Sequence, residues 1–167
     1  MRALNLLLVI SLWALALWGW PRIPETIPLH FGADGRPDRW GPASPLNWFL
    51  LPTLTLGLNA LIVFLGHRMG RNPKLVKLPG GQTLADLEAT AHPRVLAAMT
   101  GFLGMVQAEL NLILLLVQYG QLRAALGGDA QPVIWSAILL GLLSGPALIV
   151  VYFLRLQRAL SPKPPRP

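Results

Sequence analysis

Cysteine is absent from this sequence of 167 residues, and charged side chains are scarce. Without a thiol the chain forms no disulfide, thiolate nucleophile, iron–sulfur cluster or cysteine-ligated zinc site. Charged residues make up 13% of the chain, about half the share in a soluble globular protein. Hydrophobic residues make up 53%, more apolar surface than a water-soluble fold of this size can hide. The composition therefore excludes disorder and favours a protein of the lipid bilayer.

Four long apolar runs account for this composition. They cover residues 3–20, 46–66, 95–119 and 132–154, and Glu109 in the third run is their single charged residue. An α-helix needs about 20 apolar residues to cross the hydrocarbon core of a membrane. The runs also lack the alternation of period two that marks membrane strands. We therefore predict an all-α integral membrane protein with four transmembrane helices and a structured outer loop.

Lysine and arginine are unevenly distributed between the segments that separate the runs. Cytoplasmic segments carry the excess of these residues, and here the connection 67–94 and the end of the chain hold most of them. We therefore predict that both termini lie inside and that the segments 21–45 and 120–131 lie outside. Tryptophan favours the membrane interface. The tryptophans that fall near the predicted outer face are Trp18, Trp20, Trp40, Trp48 and Trp135.

Turn and cap residues divide the chain further. In the connection, Thr83 and Asp86 have the spacing of a capping box, which predicts a short helix that reaches Ala91 before Pro93 ends or bends it. The first run also fits a signal peptide cleaved after Ala16, an alternative that leaves the other spans in the same orientation. The predicted units are two spans and their outer loop (1–66), a basic connection (67–94), two further spans (95–160) and a disordered tail (161–167).

The outer loop carries the most specific motif of the chain. Prolines on both sides of Ile27 favour extended backbone, and Asp34-Gly35 is a turn signal in which Gly35 can take a positive φ. Ile27, Phe31 and Trp40 are apolar anchors, so we expect a folded loop that shields Trp40 from water. The motif consists of Ile27, Pro28, His30, Phe31, Gly35, Pro37, Asp38, Trp40 and Gly41.

This motif after a first span resembles a bacterial membrane domain of unknown function, found at the N-terminus of the sporulation-delaying toxin immunity protein family. The resemblance covers residues 5–65, about a third of the chain. It implies a multi-pass protein of a bacterial cytoplasmic membrane that recognises a partner at the outer face, either a peptide toxin or a regulatory protein. The role it implies is protection from a membrane-active toxin or membrane-linked signalling.

Two readings of the acidic residues in the outer loop are possible. His30, Asp34 and Asp38 provide one imidazole and two carboxylates, a ligand set that suits Zn²⁺ or Mn²⁺. The same side chains can instead cap and brace the loop by hydrogen bonds. We favour the brace and predict neither a metal nor another cofactor.

Polar side chains inside the third span raise a second alternative. A carboxylate such as Glu109 is costly within a membrane and by default suggests a proton relay or an ion site, which would make the protein a small transporter or channel. Glu109 lies about 200° around the helix from Gln107 and Asn111, so the polar groups do not form one pathway. We favour hydrogen bonds between helices for the set Asn59, Gln107, Glu109, Asn111 and Gln118.

The remaining patterns concern packing, partners and chemistry. Ala137, Gly141 and Gly145 form a small-residue face in the fourth span that lets another helix approach closely, within the chain rather than in a dimer. The basic segments lie beside spans and lack interleaved aromatic residues, which favours anionic lipid headgroups over nucleic acid. No Ser/His/Asp set, HExxH motif or phosphate-binding glycine-rich loop is present, so we do not expect an enzyme.

Overall fold

The computed structural model describes residues 1–161, so all but the first residue of the predicted disordered tail lies outside the described part. Five helices and two strands follow one another along the chain. The helices are α1 (Arg2–Gly19), α2 (Pro45–Trp48), α3 (Leu50–Arg71), α4 (His92–Ala125) and α5 (Gln131–Leu160). The strands are β1 (Thr26–Phe31) and β2 (Pro37–Pro42), which pair in an antiparallel hairpin between α1 and α2.

The predicted membrane architecture is confirmed. Four helical segments, Arg2–Arg22, Leu50–Arg71, His92–Ala125 and Gln131–Leu160, are long and apolar enough to cross a membrane. Many of their leucine, isoleucine and valine side chains are exposed, as expected of surfaces that face lipid. The two-stranded sheet is an addition to the predicted all-α fold. It forms because the prolines of the outer loop hold it extended while Gly35 turns it back.

Helix α4 is the centre of the bundle and packs against α1, α3 and α5. Its 34 residues correspond to about 51 Å of helix, well beyond the ~30 Å hydrocarbon core. Both ends of α4 therefore extend past the span, and a different segment covers each. We call residues 23–44, which cover its C-terminal end, the hairpin cap. Residues 72–91, which cover its N-terminal end, are the loop cap.

The loop cap is a compact turn structure packed on the ends of α4 and α5. Val76, Leu78 and Leu84 are buried in a cluster that includes Val95 and Leu156. The turn at its tip is built on Gly80 and Gly81, which both have positive φ. Because these buried side chains lie on the two sides of the turn, the cap folds back on itself and docks as one piece.

The capping box in the loop cap forms, but the predicted helix does not. The Thr83 backbone N–H and hydroxyl both donate to the Asp86 carboxylate, at 2.7 and 2.8 Å. The segment then makes only a single 3₁₀ turn, Leu84–Asp86, because Leu87 is already extended. Pro93 does not end a helix either. It lies in the first turn of α4, where its missing N–H costs no helix hydrogen bond.

Candidate functional site

The hairpin cap contains all nine residues of the outer-loop motif. Its turn places Gly35 at φ 76°, against the indole of Trp135, which lies 3.1 Å from where a Cβ would be. Gly41 is equally constrained because the Leu29 side chain crosses over it and occupies the space of a Cβ. The two glycines of the motif thus serve close approaches as well as the turn.

One contact, at the end of the hairpin away from its turn, shows which opposite residue pairs of the two strands are hydrogen-bonded. The Ala43 N–H donates to the Glu25 carbonyl at 2.7 Å, so residues 25 and 43 are a hydrogen-bonded pair. Opposite residues alternate between bonded and non-bonded pairs in antiparallel strands. The pairs Thr26–Pro42 and Pro28–Trp40 are therefore non-bonded, which suits prolines because they lack an N–H.

The edge of β1 that faces away from β2 is closed. In a non-bonded pair the backbone groups point out of the sheet edge, and the Pro28 carbonyl accepts 2.8 Å from Gln121 Nε2 of α4. Pro28 itself has no N–H to leave unpaired. Helix α4 and a proline thus seal this edge at its centre.

The outward edge of β2 is closed only at one end. The Pro42 carbonyl accepts from Asn47 Nδ2 at 2.9 Å and from the Ser44 N–H at 2.9 Å. Two residues earlier, the same alternation directs the N–H and carbonyl of Trp40 outward. β2 is the outer strand of a two-stranded sheet, so the backbone of Trp40 presents a donor and an acceptor at an open edge.

Apolar and polar contacts together hold the hairpin cap on the bundle. Ile27 is fully buried in a cluster with Trp48 and Leu122, and the Trp48 indole donates to the Ala16 carbonyl of α1 at 2.8 Å. At the tip of the hairpin, Gln131 Nε2 and Trp135 Nε1 of α5 both donate to the Asp34 carbonyl, at 2.9 and 3.1 Å. Phe31 packs beside them on a cluster formed by Ala124, Ala130 and Ile134.

The predicted brace within the loop is present. His30 Nδ1 lies 2.6 Å from Asp38 Oδ1 across the two strands. Asp34 has a separate task, since its carboxylate accepts the N–H of Arg36 at 3.0 Å and closes the turn. Among residues 1–161, no three His, Cys, Asp or Glu side chains come close enough together to hold a metal ion.

An open groove of about 480 Å³ lies between the hairpin and the α4–α5 turn. Arg36, Pro37 and Trp40 line one wall, and residues 127–131 line the other. The expectation that Trp40 is shielded from water is wrong, because its side chain is 49% exposed. Trp40 stands on the outer strand, where β1 separates it from the bundle, so nothing in the described chain covers it fully.

Inside the bundle, four amide side chains from three helices form one network. Asn59 of α3 contacts both Gln107 and Asn111 of α4, with Asn59 Nδ2 2.7 Å from Asn111 Oδ1. Asn5 of α1 completes the network, since its Nδ2 donates to Gln107 Oε1 at 3.3 Å and its Oδ1 accepts from Asn111. Sequence reasoning missed Asn5, whose signal is a lone amide within the first apolar run.

Glu109 points away from this network, toward α5. The Ser144 hydroxyl lies 2.5 Å from Glu109 Oε1 and 2.5 Å from the Leu140 carbonyl. Gly145 lies beside the carboxyl group, and a Cβ there would be in ordinary van der Waals contact with Glu109 Oε1, at 3.9 Å. Ser144 was not singled out from the sequence, although it is a rare hydroxyl in that apolar run.

Gln118 of α4 contributes to the contact with the hairpin cap rather than to the amide network. Its Nε2 donates to Gln121 Oε1 at 3.2 Å, and Gln121 in turn donates to the Pro28 carbonyl. Gln118 is fully buried, and its Oε1 makes no hydrogen bond within the described chain. Because the Pro28 carbonyl can only accept, the direction of this chain of amides is fixed.

The small-residue face of α5 packs within the chain, as expected. Ala137 is buried, Gly141 faces Ile113 of α4, and Gly145 faces Glu109. One turn nearer the hairpin the roles reverse, since Gly120 of α4 makes room for an isoleucine of α5. A Cβ at Gly120 would lie 2.6 Å from the Ile134 side chain, so this glycine is the one that the contact between α4 and α5 requires.

Comparison with known proteins places the hairpin cap in a recognised domain. Residues 7–56 match the model of a family described as a domain of unknown function, DUF1648, which covers most of α1, the hairpin cap and the start of α3. This confirms the N-terminal domain predicted from the outer-loop motif. Neither this description nor the relative described next mentions a toxin.

A relative from Archaeoglobus fulgidus, described as an uncharacterized protein, is 27% identical to the chain over 173 aligned residues. The alignment covers 93% of this chain and 86% of the relative. No solved structure matches the chain. The similarity therefore extends over all four candidate spans, well beyond the N-terminal domain, and it reaches into the archaea.

Proposed function

We propose that this multi-pass membrane protein is a non-enzymatic receptor for an extended peptide, which it binds at the open edge of β2. In the form that the sequence motif suggests, the peptide is a membrane-active toxin and binding protects the cell. The partner segment pairs with the backbone of Trp40 and lies beside the groove. Arg36 lines this groove across from Asp129, and its guanidinium favours a carboxylate at one end of the bound segment.

The observation that carries this proposal is the contrast between the two edges of the hairpin. α4 and a proline close the β1 edge, and the Pro42 carbonyl at the end of β2 is also occupied. The backbone of Trp40 is left open within a cap that is otherwise held by many contacts. Addition of a strand to such an edge is a common way to bind a peptide, since main-chain hydrogen bonds supply affinity.

The proposal places the hairpin cap outside a bacterial cytoplasmic membrane and the loop cap inside, in line with the distribution of lysine and arginine. The chain has no native cysteine, so single cysteines report the orientation directly. Ala33→Cys and Gln82→Cys put thiols at exposed positions of the two caps. In intact cells an impermeant thiol reagent should label position 33 and not position 82; the reverse pattern would refute the orientation.

Backbone recognition is tested by two substitutions at one position. Trp40→Ala removes the indole and keeps the N–H, whereas Trp40→Pro removes both, and the N–H is not part of the β1–β2 ladder. The probe is a capped peptide of alternating valine and threonine with an aspartate at each end, added to the full chain in lipid nanodiscs. Trp40→Pro should bind it about tenfold more weakly than Trp40→Ala, the cost of one unmade hydrogen bond to a peptide carbonyl.

Arg22→Gln is a control for a change outside the groove, because Arg22 lies over the Trp18 ring at the end of α1 and does not line the groove. It should bind the probe as the wild type does. Equal binding by Trp40→Pro and Trp40→Ala would exclude the strand edge as the binding element. A toxin challenge of cells that carry the same variants separates peptide binding in general from toxin immunity. Loss of protection only with Trp40→Pro supports immunity through this edge.

A further inference from the structure

The basic residues of the molecule are concentrated around the loop cap. Seven of them lie on this cap or on the helix ends that it covers, while its acidic residues are Asp86 and Glu88. Both acids already accept hydrogen bonds from threonines, Asp86 from Thr83 and Glu88 from Thr90. The basic residues are Arg68, Arg71, Lys74, Lys77, Arg94, Arg155 and Arg158.

These positive charges have no carboxylate partner within the described chain. Among residues 1–161 the one ion pair within 4.0 Å joins His30 and Asp38 in the other cap. Arg94 donates to the Ser161 carbonyl at 3.1 Å, which leaves its charge uncompensated. The surface around the loop cap therefore carries a net positive charge, and in the described chain none of these basic side chains forms a close ion pair.

Leu75 stands out on this surface. Its neighbours in the cap, Val76 and Leu78, are buried against the helix ends, but Leu75 is 50% exposed between Lys74 and Lys77. Its backbone is held in a 3₁₀ turn, Pro73–Leu75, in which the Leu75 N–H donates to the Asn72 carbonyl at 3.0 Å. An apolar side chain fixed outward between two lysines is an unfavourable exposure to water.

The position of Leu75 along the chain places it near the membrane surface. It follows the last residue of α3, Arg71, by four residues, so it lies at most about 14 Å from the end of that span. An anionic surface attracts basic side chains within roughly 10 Å. A leaflet with anionic phospholipids supplies negative phosphates for the lysines and an apolar environment for Leu75.

We infer that the loop cap docks on anionic phospholipid headgroups, with Lys74 and Lys77 on phosphates and Leu75 inserted among the acyl chains beneath them. This inference does not depend on peptide binding by the hairpin cap, and it assigns Leu75 a role that the sequence did not indicate. The docked lipid fixes the loop cap against the bilayer at the end of the bundle opposite the hairpin.

The test uses the full chain in nanodiscs and a single fluorophore, which the absence of native cysteine permits. Leu75→Cys carries the fluorophore at the proposed insertion site, and Gln82→Cys carries it at an exposed position on the same cap. Brominated phosphatidylglycerol or brominated phosphatidylcholine, in an equimolar mixture of the two lipids, then quenches it. At position 75 the anionic lipid should associate at least about fivefold more strongly, the factor expected for one lysine.

Two double variants test whether the two lysines cause the lipid preference. Lys74→Gln/Lys77→Gln should bring the lipid preference at position 75 close to one, and Arg36→Gln/Arg39→Gln in the hairpin cap should leave it unchanged. Protection of the Leu84 amide from exchange reports that the cap remains folded in each variant. The inference fails if both lipids quench position 75 equally, if position 82 is quenched as strongly, or if the preference survives loss of both lysines.

Discussion

The two caps cover opposite ends of α4, and both bury apolar side chains there, but side-chain hydrogen bonds from the helices to the loop backbone add to this burial mainly in the hairpin cap. In the hairpin cap, the backbone carbonyls of Pro28, Asp34 and Pro42 accept hydrogen bonds from side chains of α4, α5 and α2, respectively. In the loop cap, docking depends on the buried side chains Val76 and Leu84. Its polar contacts are mainly local, between residues close in sequence.

This difference has a consequence for what each cap can present. Hydrogen bonds to chosen carbonyls fix the backbone of the hairpin and determine which of its edges stays open. Apolar burial instead fixes the loop cap without using its lysine and arginine side chains, so these stay available around it. The first cap therefore offers backbone groups to a partner, and the second offers positive charge.

The largest effect is expected from the core of the loop cap. Leu84 is fully buried, and Leu84→Ala should cost about 2–5 kcal/mol locally through lost transfer free energy and a cavity. Hydrogen exchange should become faster in residues 72–91 and stay unchanged in residues 26–42. Loosening of both caps together would show that they are not independent.

The corresponding change for the hairpin cap is Gln121→Leu in α4, which removes the side chain that donates to the Pro28 carbonyl. It leaves the Pro28 carbonyl and the Gln118 amide without their partner, at a cost of about 1–3 kcal/mol. Here the exchange of β1 and β2 amides should accelerate while the loop cap keeps its protection. Gln121→Glu, which also removes the donor to Pro28, is a near-isosteric comparison, and wild-type behaviour of both variants would contradict polar docking.

A smaller effect is expected between the caps, at Glu109. Glu109→Gln keeps an acceptor for Ser144, whereas Glu109→Leu removes it, a loss of about 1–2 kcal/mol within a membrane. Thermal unfolding in detergent should therefore rank wild type and Gln together above Leu. Unchanged stability in both variants would argue against a packing role. If Glu109→Gln is as stable as the wild type but loses ion or proton flux, a role in transport is favoured.

The smallest effect concerns pH at the loop cap. Hydrogen bonds from the Thr83 backbone and side chain hold the pKa of Asp86 below its ordinary value of 3.8. A lowered pKa means that the ionised carboxylate stabilises the turn above that value and that this contribution is lost as the pH falls through the lower, folded pKa. Protection of the Thr83 amide should stay constant from neutral pH to about 5 and decline only in stronger acid; Asp86→Ala should lack it throughout.

The spans and the hairpin turn could be predicted from the sequence because both depend on local composition. Long apolar runs specify helices in lipid whatever their neighbours are, and Gly35 specifies its turn by its own backbone freedom. The capping box at Thr83 was predictable for the same reason. The helix expected after it does not form, because the chain is already extended at Leu87 and one turn alone is too short to be a stable helix.

The site depended on contacts between segments distant in sequence, which local patterns do not encode. Gln121 and Asn5 became meaningful only when α4 was seen beside the hairpin and α1. The exposure of Trp40 likewise follows from strand order, since β1 lies between β2 and the bundle. The sequence of a loop does not show which strand of the hairpin will pack on the bundle, and it therefore does not show whether an apolar residue on one strand will be exposed.

Hydrogen exchange at two neighbouring amides of β2 tests the open edge most directly. With the ¹⁵N-labelled chain in nanodiscs, the Gly41 N–H should be protected because it lies in a bonded pair with Ile27. The Trp40 N–H should exchange at nearly the rate of an unstructured peptide, since it points away from β1. Addition of the extended probe peptide should then protect Trp40 alone. Protection of Trp40 before any peptide is added, or fast exchange at both positions, would contradict the open edge on which the proposed function rests.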